Sequence, residues 1–185
     1  MARTGFQIFR GGIRWCSSMI FLTVGTSPFQ FNRLLEIVDL MVRDALIDDS
    51  VFGQIGFSSY KPKFFEYSEL VEKDEFDEKF ESAAGIISHA GMGTILAAMT
   101  MQKPIVIVPR QKKYREHVND HQVSTAAAMV KSGAILIASD RESLIKAIED
   151  FRTFVPICHE SSADKVALRI GDFIDAVSAE KKPPE

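Results

Sequence analysis

The sequence predicts an α/β domain in which a parallel sheet is covered by helices on both faces. Three observations predict it. Short apolar, β-branched runs, with Ile20–Val24 and Ile105–Val108 the clearest, alternate along the chain with segments of helical periodicity. The runs are continuously apolar rather than alternating, as expected of strands buried on both faces. The segment from Ser82 to Gln102 carries no Asp, Glu, Lys or Arg, but His89, Gly91 and Gly93 divide it in the middle. That pattern fits a buried strand–turn–helix unit better than a membrane span.

The elements follow in order. Ile20–Val24 ends at Gly25 and reads as the first strand, and Phe31, Leu34, Leu35, Val38, Met41, Val42 and Ala45 trace an amphipathic helix after it. Val51–Phe57 reads as a second strand, weakened by Gly53 and Gly56. An irregular aromatic stretch, Phe57 to Tyr67, leads to an acidic helix within Glu69–Glu81. Gly85–Ser88 is a short buried strand, and a helix is expected from about Gly91 to Met101. Ile105–Val108 is closed by Pro109, Glu116–Lys131 reads as helix, and Gly133 fits its stop. Ala134–Ala138 is a strand, and Ser139 with Glu142 predicts a capping box for the next helix. Ala163, Val166, Ala167, Ile170, Phe173, Ile174 and Val177 predict a last amphipathic helix.

Length and composition bound the rest. The 185 residues suit one domain, which at this size buries roughly 70% of its unfolded surface without disulfides or metal. Hydrophobic residues make up 46% and charged residues 25%, so a disordered chain is excluded. The net charge of −3 argues against a nucleic-acid coat. Cys16 and Cys158 cannot build a disulfide framework and fit a reducing compartment. Residues 1–18, with Arg3, Arg10 and Arg14 and no acid, read as a leader or disordered extension. Residues 19–178 are the expected domain and 179–185 a polar tail.

Ligands of parallel sheets sit at the carboxyl ends of strands, and three chemically dense segments lie there. Gly25-Thr26-Ser27 offers a sharp turn and two hydroxyls to an anion; the bland alternative is a turn with a helix cap. In Ser88-His89-Ala90-Gly91-Met92-Gly93-Thr94, glycines two apart permit close approach of a ligand to a helix start, which suits a diphosphate. The third segment, Pro109 to Gln122, combines Arg110, Lys112, Lys113 and Arg115 with His117, Asp120, His121 and Gln122. Its groups suit phosphates and sugar hydroxyls. His117 and His121 have metal-ligand spacing, but no third ligand lies near and HExxH is absent, so no metal is expected. Neither GxGxxG, nor a Walker A loop, nor a GxSxG elbow is present.

IFLTVGTSPFQF from Ile20, SHAGMGT from Ser88, KPIVIVPR from Lys103 and EHVNDHQ from Glu116, taken in that order, resemble the C-terminal domain of glycosyltransferase family 28. The likeness runs from about Met19 to Ala138. It is closest to stand-alone forms of that domain, in two-part dolichol-pathway N-acetylglucosaminyltransferases and in bacterial exopolysaccharide and capsule glycosyltransferases.

The resemblance implies the Rossmann-like, donor-binding half of a GT-B fold. It implies a UDP-sugar as substrate, no cofactor and no bound metal, and a hexose-type sugar transferred with inversion in polysaccharide or lipid-linked glycan synthesis. The lipid-linked acceptor and the general base are then expected on a membrane-associated partner subunit, which would hold this cytoplasmic chain at the cytoplasmic face of a membrane. Carried over by position, Gly25, Thr26 and Ser27 fall at the donor phosphates, and His89, Gly91, Gly93 and Thr94 near the diphosphate and nucleoside. Asp120, His121 and Gln122 fall where the family contacts sugar and phosphate, and Arg110 is the candidate side-chain cation. One position departs: the helical Glu that bonds the ribose in the family is replaced by Ala97. That favours an alternative, a non-catalytic nucleotide-sugar-binding or scaffold subunit.

Overall fold

The computed structural model describes residues 8, 9, 12, 13, 19–130, 133, 135–151 and 153–156. Within the expected leader, β1 (Ile8–Phe9) and β2 (Gly12–Ile13) pair antiparallel. The predicted helix at Ala163–Val177, the tail from 179 and the upper domain boundary lie outside the described residues.

The domain is one six-stranded sheet. Its strands are β3 (Met19–Thr23), β4 (Ser50–Gln54), β5 (Glu66–Ser68), β6 (Gly85–Ser88), β7 (Ile105–Ile107) and β8 (Leu136–Ile137), in the order β5-β4-β3-β6-β7-β8. All five pairings are parallel. The order winds outward from β3 to one edge, then restarts at β6 and winds to the other. Among the described residues, five helices cover the sheet: α1 (Asn32–Arg43), α2 (Lys73–Ser82), α3 (Met92–Thr100), α4 (His121–Val130) and α5 (Arg141–Asp150).

Strand register divides the apolar side chains into two layers. Leu22 and Ile87 face one side, where Leu34, Leu35, Val38 and Met41 of α1 and Leu144 and Ala147 of α5 meet them. Phe21, Ile86 and Ile105 face the other, against Phe80 of α2, Ile95 and Ala98 of α3 and Ala126 of α4. Both faces are thus covered, as the continuously apolar strands predict.

Three local expectations are corrected. The aromatic stretch runs into a strand, β5, at the sheet edge; its short polar sequence Glu-Tyr-Ser hides the pairing to β4. The helix expected from Glu116 begins at His121, because bends occupy residues 116–120, after a 3-10 turn at Lys112–Tyr114. His117 therefore precedes the helix, and the four-residue spacing to His121 does not put the two on one helical face. The capping box of α5 uses Asp140 and Ser143 rather than Ser139 and Glu142. Asp140 Oδ1 accepts from Ser143 N at 2.9 Å, and Ser143 Oγ accepts from Asp140 N at 3.2 Å.

Candidate functional site

The winding direction reverses between β3 and β6, and such a reversal opens a crevice at the carboxyl ends of the two strands. Gly25-Thr26-Ser27 leaves β3 there, and Ser88 to Thr94 leaves β6 beside it. The segment from Pro109 leaves the neighbouring β7. Topology thus brings the three predicted segments to one end of the sheet.

The first segment is not a helix cap. α1 starts only at Asn32, and its opening N–H groups are satisfied elsewhere: Phe31 N donates to Ser58 Oγ at 3.0 Å and Asn32 N to Gln30 Oε1 at 2.8 Å. Thr26 is exposed and Ser27 half-buried. Gly25, at a φ of 74°, turns the chain while its N–H donates to Thr23 Oγ1 at 3.1 Å.

His89 fills the space that two glycines leave. A β-carbon on Gly25 would lie 2.6 Å from His89 Cε1, and one on Gly91 would overlap the ring at Nε2. Burial, followed by the Arg110 charge, pushes His89 down to about 4, against the opposing effect of a hydrogen bond to the Thr23 backbone. The imidazole is neutral at neutral pH, so it brings no charge to the site. Gly93 differs from the other two glycines: a β-carbon there would meet nothing within 4 Å. Packing does not demand a glycine at 93.

The N-cap of α3 is Gly91, so no side chain caps the helix, and its first turn contains no acid. The N–H groups of that turn have no earlier carbonyl within the helix to bond. With the partial positive charge of a helix start, they make a place for an anion.

Arg110 corrects an expectation. Its side chain is fully buried, and the guanidinium donates inward to backbone carbonyls. Nη1 reaches Phe29 O at 2.9 Å, Gln30 O at 2.8 Å and Glu116 O at 3.2 Å, while Nη2 reaches Val24 O at 2.8 Å. Burial lowers its pKa to about 10, so it keeps its charge. It acts as a clamp holding the loops after β3 and β7 together, and it is not a cation presented to solvent.

The third segment shapes itself with its own predicted ligands. Asp120 Oδ1 accepts from Lys112 N at 2.8 Å, and Gln122 Oε1 accepts from Arg110 N at 3.1 Å. His121 is exposed at the start of α4, its N–H donating to Asn119 Oδ1 at 3.2 Å. Among the described residues no three His, Cys, Asp or Glu side chains gather to hold a metal, and no helix is long and apolar enough to cross a membrane.

Sequence reasoning missed two groups that position the site. Glu116 is fully buried and takes two bonds from Arg33, Nε to Oε1 at 2.8 Å and Nη2 to Oε2 at 2.9 Å. Asp39, also fully buried, accepts from Tyr60 Oη at 2.8 Å, Lys63 N at 2.9 Å and Phe64 N at 2.8 Å, pinning the aromatic stretch to α1. The available signal was a single acid inside a basic run for Glu116, and an acid on the apolar stripe of α1 for Asp39. Within the aromatic stretch Phe57 is 58% exposed and Phe64 47%, whereas Phe65 is buried over Gly53.

The model for the glycosyltransferase family 28 C-terminal domain matches residues 19–168. The mouse protein "UDP-N-acetylglucosamine transferase subunit ALG13" is 28% identical over 128 residues, which are 65% of this chain and 11% of that protein. The chain thus spans about a tenth of this mammalian relative's length. The protein of the same name from Yarrowia lipolytica is 25% identical over 162 residues, 74% of each chain. Among solved structures, the solution structure of ALG13 superposes with a TM-score of 0.53 at 15% identity, covering 81% of this chain and 94% of that one. Acinetobacter baumannii MurG gives 0.51 at 17%, covering 83% and 49%. At these identities the two structures speak for the fold alone.

Proposed function

Since the chain belongs to the glycosyltransferase family 28 C-terminal domain family, we propose that it is the donor-binding, catalytic subunit of a two-part inverting hexosyltransferase. The donor is a UDP-sugar. The relatives' names favour UDP-N-acetylglucosamine among the candidates. The acceptor is lipid-linked and held by a membrane-associated partner subunit, which keeps this chain at the cytoplasmic face.

One observation carries the reading: the uncapped start of α3, with open space over Gly93, lies at the strand ends where the winding reverses. The diphosphate is placed against the first-turn N–H groups of α3, where charge that develops on the leaving group is stabilised by fixed dipoles. Neutral His89 contributes a hydrogen bond from beneath, and Thr26 and Ser27 approach from the β3 side. Arg110 acts through position and field, because its hydrogen bonds are directed inward. Asp120 just before α4 and His121 and Gln122 in its first turn border the site, with Asp120 and Gln122 shaping the loop that precedes the helix.

A second reading is favoured by Ala97, a half-buried residue packed against the apolar layer of α2 and α3. It offers no acceptor to a ribose hydroxyl, which removes a bond to a charged group worth roughly 1.5–3 kcal/mol. A nucleotide-sugar-binding subunit that supports a partner's catalysis would tolerate that loss.

The two readings separate when the purified chain is mixed with membranes carrying the acceptor-binding subunit and a labelled UDP-sugar. Transfer in the mixture alone, abolished by a change at Gly93, is the result expected of the catalytic reading. Transfer by the partner alone would support the scaffold reading, and full activity of the isolated chain would contradict both.

A further inference from the structure

We propose that the loop from Lys112 to Val118 is itself a docking surface for an anionic phospholipid bilayer, independent of any partner subunit. The chain as a whole carries a net charge of −3, yet this loop presents Lys112, Lys113 and Arg115, all exposed. Of the two nearby acids, Glu116 faces inward, and exposed Asp120 is engaged by the backbone. Glu116 is fully buried and spent on Arg33 and on Gln111 N at 2.9 Å. Asp120 Oδ1 is turned to the backbone of Lys112. Among the described residues none of the three cations forms an ion pair.

The loop is also held in shape before anything binds. Gln30 Nε2 donates to Tyr114 O at 3.1 Å, and the guanidinium of Arg33 stands 4.9 Å from the centre of the Tyr114 ring. Arg115 adopts a φ of 58°, which turns the chain back towards the buried Glu116. Pre-ordering removes part of the entropy cost of docking.

The choice of a bilayer over another anionic partner rests on what lies among the charges. Tyr114 is 45% exposed and Val118 61%, so an amphipathic ring and an aliphatic side chain sit beside three cations. That mixture suits the interfacial region of a membrane, where cations meet headgroup phosphates and Tyr rests at their level. A nucleic acid would use the cations and gain little from Val118.

The test is co-sedimentation of the full chain with vesicles of phosphatidylcholine alone and of phosphatidylcholine mixed with phosphatidylserine. Binding is expected to the mixed vesicles only and to fall as salt is raised. The double variant Lys112→Gln, Lys113→Gln is expected to lose about 30-fold in vesicle affinity, at an unchanged unfolding midpoint. Val118→Ser is expected to lose severalfold, and Lys146→Gln, an exposed cation on α5, nothing. Arg3, Arg10 and Arg14 are present in every variant, so equal binding by the double variant would overturn the proposal. So would equal binding to neutral vesicles, an equal loss in Lys146→Gln, or capture of a short single-stranded nucleic acid with no vesicle binding.

Discussion

Arg33 on α1 and Glu116 after β7, separated by 83 residues, meet in a two-pronged ion pair with bonds of 2.8 and 2.9 Å. Arg33 also donates to Ser139 O at 2.9 Å and Pro109 O at 3.1 Å, so one side chain ties the loops after β7 and β8 to α1 at the carboxyl end of the sheet. Glu116 Oε2 additionally receives the Gln111 N–H. The arrangement fixes the third ligand segment against the helix that follows the first. Glu116→Ala strands a mostly buried guanidinium and a backbone donor, and is expected to cost about 3 kcal/mol in urea unfolding. Glu116→Gln keeps some of the bonds and is expected to cost less. Equal stability of the alanine variant and the parent would show that the pair does not hold the loops.

His89 makes stability depend on pH. Its folded pKa of about 4 lies below the ordinary 6.5, so the unfolded chain binds the proton more readily. The stabilisation is therefore complete above about pH 6.5 and is lost progressively as pH falls towards 4, up to ~3 kcal/mol. Urea midpoints measured across that range are expected to fall with acid. His89→Gln should flatten the slope between pH 4 and 6.5, and an unaltered slope would assign the dependence to other groups.

The glycines are expected to separate into packing and ligand positions. Gly25→Ala combines a φ of 74° with a β-carbon 2.6 Å from His89, and should destabilise by about 2 kcal/mol. Gly93→Ala meets open space and should leave stability unchanged or slightly raised. Thermal unfolding of the two variants beside the parent checks the contrast; equal losses would contradict it.

Asp39 is expected to control the aromatic stretch. Asp39→Ala leaves the N–H groups of Lys63 and Phe64 and the Tyr60 hydroxyl without their acceptor, at a cost of about 2–3 kcal/mol. Amide exchange at residues 63 and 64 should accelerate more than at α5. Uniform acceleration would mean that the bonds are not a local latch.

Much of the fold was legible because burial on both faces leaves its mark directly in sequence. Ile20–Val24, Gly85–Ser88 and Ile105–Val108 are continuously apolar or small, and each forms a strand within a residue or two of the expected span. β5 was not legible, since Glu66-Tyr67-Ser68 has no apolar pattern and gains its structure from pairing with β4. The start of α4 was misplaced because Glu116 to Asp120 carries no Gly or Pro to mark a break, whereas tertiary bonds to Arg33 and Arg110 hold that stretch in bends. The convergence of the three segments was legible: topology places Gly25, His89 and Pro109 at neighbouring strand ends. The direction of individual side chains was not. A buried Arg110 clamping four carbonyls and a surface Arg awaiting a phosphate read identically in one dimension.

The central claim, that the uncapped start of α3 and the turn after β3 form a UDP-sugar site, is tested most directly by titration calorimetry. The titrants are UDP, UDP-N-acetylglucosamine, ATP and NAD, each against the parent and Gly93→Val. The predicted result is binding of the UDP ligands by the parent, no binding of ATP or NAD, and loss of UDP binding in the variant at an unchanged unfolding midpoint. Binding of ATP or NAD with no UDP ligand bound, or undiminished UDP binding by Gly93→Val, would contradict it.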